Sequence, residues 1–295
     1  MQKALVSIVI TTYRRPLQIL RRALESAINQ TYDNIEVIIV NDFPEDVNMS
    51  ERIRELTTLY MRNVKYRSMK QNSGACEARN MGIEEAQGEY IAFLDDDDEW
   101  FANKIETQLL GFAESRIGLS YTPFYRNDGK IRKLSCDEGK NGNMLEYMLH
   151  KNPMALFPLF RIEKIREIGG FDTNLKSSQD HDLILRLAEV CDFAYIDVAT
   201  ANYNVSEESI STNIKNKIDG FNYFMKKHNN LYKVYPNAYY YQMIKMCNNM
   251  LTAGYKSEGF FYWRAAIKVK PINIRNILEP TKGVIKRLQR RRPFH

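Results

Sequence analysis

The chain has 295 residues, 44% apolar and 26% charged, a balance that suits a globular protein with a sizeable core and excludes wholesale disorder. Its net charge is +6, and residues 281–295 alone carry Lys282, Lys286, Arg287, Arg290, Arg291 and Arg292 with no acid. The remaining sequence is therefore neutral, which argues against a nucleic-acid cleft and for an anionic surface met by the basic segment.

The four cysteines, Cys76, Cys136, Cys191 and Cys247, form no CxxC pair; their spacing excludes a zinc site and suits a reducing, cytoplasmic setting. No apolar run reaches the roughly 18–20 residues of a membrane span. The uncharged stretch from Ala4 to Tyr13 is followed at once by Arg14 and Arg15, so it reads as a buried strand and not as a leader.

In chain order, Leu5–Thr11 is a β-branched strand, and Leu17–Asn29 is a helix with Leu17, Leu20, Leu24, Ala27 and Ile28 on one face and Pro16 at its first turn. Ile35–Val40 is a second strand ending at Asn41-Asp42. Arg52–Tyr60 is helical, Val64–Arg67 a third strand, Ala75–Ala86 a helix closed by Gly88, and Glu89–Leu94 a fourth strand that runs into Asp95-Asp96-Asp97-Asp98. Such βα units with continuous apolar strands predict an α/β protein with a mostly parallel, twisted sheet flanked by helices. Phe101–Glu114 reads as a helix, residues 118–134 as strands around an Asn127-Asp128-Gly129 hairpin turn, Gly169-Gly170 as a loop and Gln179–Val190 as a helix. From about 213 the chain is a helical extension rich in Tyr, Phe, Met and Lys.

In open parallel sheets ligands bind beyond the carboxyl ends of the strands. Thr11, Asp42 and Asp95 all fall there. Asp95 and Asp97 are two apart at a strand end and leave on the same side. Two such carboxylates repel by roughly 4 kcal/mol at an effective dielectric of 20. A hard cation, Mg²⁺ or Mn²⁺, would offset this; a solvated acidic turn is the plain alternative. Asp42 can equally be a turn residue before Phe43-Pro44. Asp180 opens a helix with Ser178 as its expected N-cap; it can serve the helix dipole alone or act as a general base. His181 has no partner histidine at metal spacing. Arg79 can face a phosphate or make a surface ion pair, and Trp100 reads as a core residue at a helix start.

Taken together, these blocks resemble the family 2 glycosyltransferases. Val6-Ser7-Ile8-Val9-Ile10-Thr11-Thr12-Tyr13-Arg14-Arg15-Pro16 is similar to the family's first strand and loop, with Thr11 and Arg14 where it usually has Pro and Asn. Asn29–Asp42 follows, with Asn41, Phe43 and Pro44 replacing parts of Asp-Asp-Gly-Ser. Asn72-Ser73-Gly74 and Ala78-Arg79-Asn80-Met81-Gly82 match the next block, Gly88–Trp100 the metal-binding block, and Gly169-Gly170-Phe171-Asp172 with Gln179-Asp180-His181-Asp182-Leu183 the acceptor-side block. Tyr203-Asn204-Val205-Ser206 lacks the Arg and His that the family often places there.

The resemblance, over about residues 5–211, implies a GT-A fold: a nucleotide-sugar half at 1–100, an acceptor half at 101–212, and the helical extension at 213–295. It implies a metal-dependent, inverting hexosyl transfer from a nucleotide-sugar donor, most often UDP-linked, to a glycan or lipid-linked acceptor in surface polysaccharide synthesis. Thr11, Tyr13, Asp42, Gly74, Arg79, Asp95 and Asp96 are then expected at the donor, Asp97 and Asp95 at Mn²⁺ or Mg²⁺, and Asp180 as the base. Residues 282–292 are expected at an anionic membrane surface, the inner face for a cytoplasmic enzyme.

Overall fold

The structure, a computed structural model, describes residues 3–60, 63–136, 138–204 and 214–290, with the backbone alone at 277 and 286–290. Val205, Ser206, Arg291 and Arg292 of the expected motifs lie outside the described residues. The chain forms two compact units, residues 1–145 with 152–224, and residues 146–151 with 225–295.

The first unit is built on a seven-stranded sheet. Its strands are β1 (Val6–Thr12), β2 (Ile35–Asn41), β3 (Val64–Ser68), β4 (Tyr90–Asp95), β6 (Ile117–Tyr121), β9 (Leu159–Arg161) and β10 (Asp192–Tyr195), in the order β10-β6-β9-β4-β1-β2-β3. β4, β1, β2 and β3 run parallel to one another, whereas β9 runs antiparallel to both β4 and β6. β2 is buried along its whole length and β1 nearly so, which is why both are mostly apolar, broken by Ser7 and Glu36, which bond each other: each sheet face is covered. A four-stranded sheet joins β5 (Glu99–Trp100), β11 (Ala201–Asn204), β7 (Phe124–Asn127) and β8 (Arg132–Ser135).

Helix α1 (Leu17–Ile28) buries Leu20, Ala23, Leu24 and Ala27. Helix α2 spans Val47–Thr58, five residues earlier than expected, because Asp46 Oδ1 accepts the Met49 amide at 2.9 Å and caps it. Helix α3 (Ala75–Glu85) lies so close to the sheet that a Cβ at Gly82 would sit 2.3 Å from Val9 Cγ1. The expected Phe101–Glu114 helix is confined to α4 (Lys104–Leu109), and Trp100 belongs to β5, not to a helix start. Trp100 is nonetheless core, with Nζ of the buried Lys104 4.0 Å from its ring centroid. The hairpin turn forms as read: Asp128 Oδ1 accepts the Lys130 and Ile131 amides, and Gly129 has φ +82°.

After α5 (Leu145–His150) and α6 (Ile162–Glu167), helix α7 spans Gln179–Leu187. Ser178 is not its side-chain cap; it has φ +61° and makes no capping bond. Helix α8 (Ile214–Lys227) carries the chain into the second unit, which holds α9 (Asn229–Val234), α10 (Pro236–Ala253), α11 (Lys256–Val269) and α12 (Arg275–Arg290). Within that unit, Leu149 O accepts from Tyr232 and Gln242, and Asn276 receives the Tyr240 hydroxyl and the Trp263 indole N–H.

Candidate active site

Parallel register places Thr11 beside Asp95 and Thr12 beside Asn41. The ends of β4, β1 and β2 therefore open on one edge, where the polar side chains gather.

Along Asp95–Asp98 burial alternates: Asp95 and Asp97 are half-buried, Asp96 and Asp98 buried. The strand stops at Asp95, and the Asp98 amide closes a turn on Asp95 O at 3.1 Å, yet the period of two persists through the turn. Like charge is offset by the protein itself. Arg15 Nε bonds Asp96 Oδ1 at 2.8 Å and its Nη2 bonds Asp97 Oδ2 at 3.0 Å; Thr12 Oγ1 donates to Asp96 Oδ2 at 2.7 Å. Burial pushes the Asp96 carboxyl up to about 6 against the pull of Arg15 and Thr12. Burial and the field of Asp95 push Asp98 well above the carboxylate range, although it accepts the Asn204 amide at 2.9 Å. The turn is held from outside by Arg22 and Asn204, both donating to Asp97 O. Arg15 thus offsets part of the repulsion within the acidic run.

Arg79 does not stand open as a surface group. It is buried, with Nη2 2.7 Å from Asp95 Oδ1, Nη1 3.2 Å from Gln179 Oε1 and its guanidinium over the Phe171 ring at 5.4 Å. Burial disfavours its charge, but Asp95 more than compensates. One side chain thereby ties the end of β4 to the first residue of α7. Its neighbour Asn80 clamps the loop between them, accepting the Phe171 amide and donating to the Phe171 carbonyl. Arg186 steadies the same loop through Ile168 O and Gly170 O while paired to buried Asp182. Asp180, next along α7, receives Asn152 Nδ2 on Oδ2 at 2.9 Å. The ring of His181 lies 4.8 Å from that of Phe224.

Asp42 is buried, and its two oxygens accept the amides of Ser73 and Gly74 at 2.8 and 2.9 Å. Burial raises it in spite of those bonds. Gly74 has φ +91°, which L side chains rarely adopt. Tyr13 is exposed and meets Phe43 edge-on at 5.4 Å, with the Arg14 guanidinium 4.4 Å from the Phe43 centroid.

The sequence reading missed Arg15, Arg22, Asn152 and Asn204. Arg15 had a usable signal, since it follows a strand end as Asp42 and Asp95 do. Asn152 had none, being brought to Asp180 only by the tertiary fold. Among the described residues no three His, Cys, Asp or Glu side chains form a metal-holding group. The hard oxygens of Asp95 and Asp97, 38% and 19% exposed, still suit Mg²⁺ or Mn²⁺, which takes one or two carboxylates and completes its shell with water and substrate phosphate.

Residues 7–159 match the profile of "Glycosyl transferase family 2". The putative colanic acid biosynthesis glycosyl transferase WcaA of Escherichia coli is 31% identical over 233 residues, 76% of this chain and 81% of that protein. Two Rickettsia proteins described as uncharacterized glycosyltransferases also match, and this chain spans only 26% and 38% of their length. Among solved structures, S. aureus TarS in complex with UDP-GlcNAc aligns with TM-score 0.60 at 15% identity, covering 96% of this chain and 80% of that one. The mannosyltransferase PcManGT of Pyrobaculum calidifontis with GDP-Man and Mn²⁺ aligns with TM-score 0.60 at 13% identity, covering 97% and 88%. The fold is GT-A, and with residues 7–159 on the family's profile and its acids on the edge of the parallel strands, this chain belongs to the family 2 glycosyl transferases.

Proposed function

We propose that the protein is an inverting glycosyltransferase that moves a sugar from a nucleoside diphosphate donor, UDP-linked by preference, to a hydroxyl of a glycan or lipid-linked acceptor in surface polysaccharide synthesis. The observation that carries this is the Arg79 bridge. It holds Asp95, at the strand edge where a donor would lie, and Gln179, the neighbour of Asp180, in one rigid arrangement. Two groups with different tasks are thereby kept in fixed relation, as a single displacement requires.

In this reading Asp95 and Asp97 would hold Mn²⁺ or Mg²⁺. When bound, the metal supplies Lewis-acid stabilisation of charge on the departing diphosphate. Arg15, already on Asp96 and Asp97, orients those acids. Thr11, Tyr13, Asp42 and Gly74 line the nucleoside end; the Asp42–Ser73–Gly74 bonds fix the loop there. Asp180 takes the proton of the attacking hydroxyl on Oδ1, while Asn152 holds Oδ2. The ligands of similar structures, UDP-GlcNAc in one and GDP-Man with Mn²⁺ in another, support the donor class and the metal. A lipid-linked acceptor would be met at a membrane surface, the inner face for a cytoplasmic enzyme, with residues 282–292 towards it.

Calorimetry with UDP and GDP, each with Mn²⁺ and with EDTA, tests the donor site. Binding that requires metal, prefers UDP and disappears in Asp97→Ala is expected. Asp180→Asn should bind donor like the wild type and transfer nothing. Nucleotide binding indifferent to EDTA would instead favour a metal-free binding protein on this fold, as the arginine-neutralised acidic turn permits.

A further inference from the structure

Charge is distributed very unevenly between the two units. Residues 225–295 contain 15 Lys and Arg against two acids, Glu258 and Glu279. Taken with the neutral balance expected for all but the last fifteen residues, this is a correction: cations are spread through the whole second unit, and the rest of the chain is acidic. Within α11 and α12 the cations accompany exposed apolar side chains. Ile272, between the helices, is 99% exposed and Ile274 70%. Leu278 and Ile285 continue from Ile274 at helical spacing, both about half exposed, while Asn276 and Gly283 on the opposite side are buried against the unit. On α11, Phe260 and Phe261 are exposed. Phe260 packs edge-on to Trp263, whose N–H bonds Asn276 O, so it lies beside the start of α12. Lys256, Arg264, Lys268, Arg275 and Lys282 are exposed on the same two helices.

We propose that this α11–α12 face docks on an anionic lipid bilayer, lying in the headgroup region without crossing it. Aromatic and aliphatic side chains flanked by Lys and Arg are the composition of an interfacial helix: the apolar groups enter the acyl boundary and the cations meet lipid phosphate. No helix among the described residues is long and apolar enough to span. A nucleic acid would use the cations but leave Ile272, Ile274 and Phe261 in water. A second copy of the chain would place this cationic face against itself. The bilayer alone uses both components. The inference stands apart from the donor site.

The test is flotation of the whole chain with vesicles of neutral phosphatidylcholine and with vesicles containing one-third phosphatidylglycerol, at low and high salt. Binding to the anionic vesicles only, weakened by salt, is expected. Lys268→Gln/Arg275→Gln should lower partition about 25-fold, from roughly fivefold per cation. Ile272→Ser/Ile285→Ser, at exposed positions that leave folding intact, should lower it by roughly tenfold or more. Circular dichroism confirms that each variant is folded. The proposal fails if the folded wild type floats with neither vesicle, if it binds both alike, or if the isoleucine variant binds as tightly as wild type. It also fails if that variant instead loses self-association in a lipid-free sedimentation run, which would assign the face to a second copy.

Discussion

Replacing Arg79 by Met keeps the aliphatic stem and removes the guanidinium that joins Asp95 to Gln179. The charged bond to Asp95 is short, 2.7 Å, and of a kind that contributes about 1.5–3 kcal/mol. The 3.2 Å bond to Gln179 adds about 1 kcal/mol, and the Phe171 contact about 0.5–1 kcal/mol. Two effects reduce the sum. Burying the guanidinium is itself costly, and that cost vanishes in the variant. Asp95 is 38% exposed, so water takes over part of the lost bond. A net destabilisation of about 2 kcal/mol in urea unfolding follows. The sharper measurement is a double-mutant cycle with Asp95→Asn. A true strut gives a coupling of about 1–2 kcal/mol; additivity within about 0.5 kcal/mol would refute the bridge, and Arg79 would then be free in solution to serve as a phosphate ligand.

Other outcomes follow from the same geometry. Glu36 is buried and accepts from Ser7, Lys65 and the Gln87 amide. Burial raises its carboxyl, but these partners outweigh it and hold it below the ordinary 4.5. Its folded value being depressed, its stabilisation is complete above 4.5 and lost as pH falls through the folded value. Glu36→Gln should therefore cost about 1–3 kcal/mol at pH 7, with the gap to wild type closing towards pH 3 in urea titrations. Gly82→Ala drives a Cβ into Val9 and should cost about 1–3 kcal/mol by thermal or urea unfolding; Val9→Ala in the same chain should recover part of it.

Much of the first unit was legible because β1, β2 and β4 are sandwiched between layers and so are apolar without alternation. The Asp128-Gly129 turn was legible for a local reason, a carboxylate that bonds its own following amides. What escaped was short or non-local. β9 has three residues, too few to show a period. The start of α2 was placed late because Val47-Asn48 weakens the helical pattern, although Asp46 is a good cap residue. At the site, the acids were visible but their arginine partners were not: Arg15 is 81 residues from Asp96, and side by side Arg14-Arg15 resembles ordinary surface charge. The spacing rule for Asp95 and Asp97 still worked, since alternation of burial outlasted the strand.

The short, antiparallel β9 has a bearing on how the chain is made. Among the described residues it is the strand that pairs with β4 on the side away from β1, and it lies more than sixty residues further along. While a nascent chain still lacks residues 159–161, β3, β2, β1 and β4 can assemble in parallel, but β4 presents a bare row of peptide groups. Such an edge recruits strands from other molecules. The four acids Asp95–Asp98, the last residue of β4 and the three after it, would then act as gatekeepers, because a second copy pairing there in parallel would bring eight carboxyl groups together. The same run that ends the parallel strands of the finished sheet would also guard the unfinished one against aggregation.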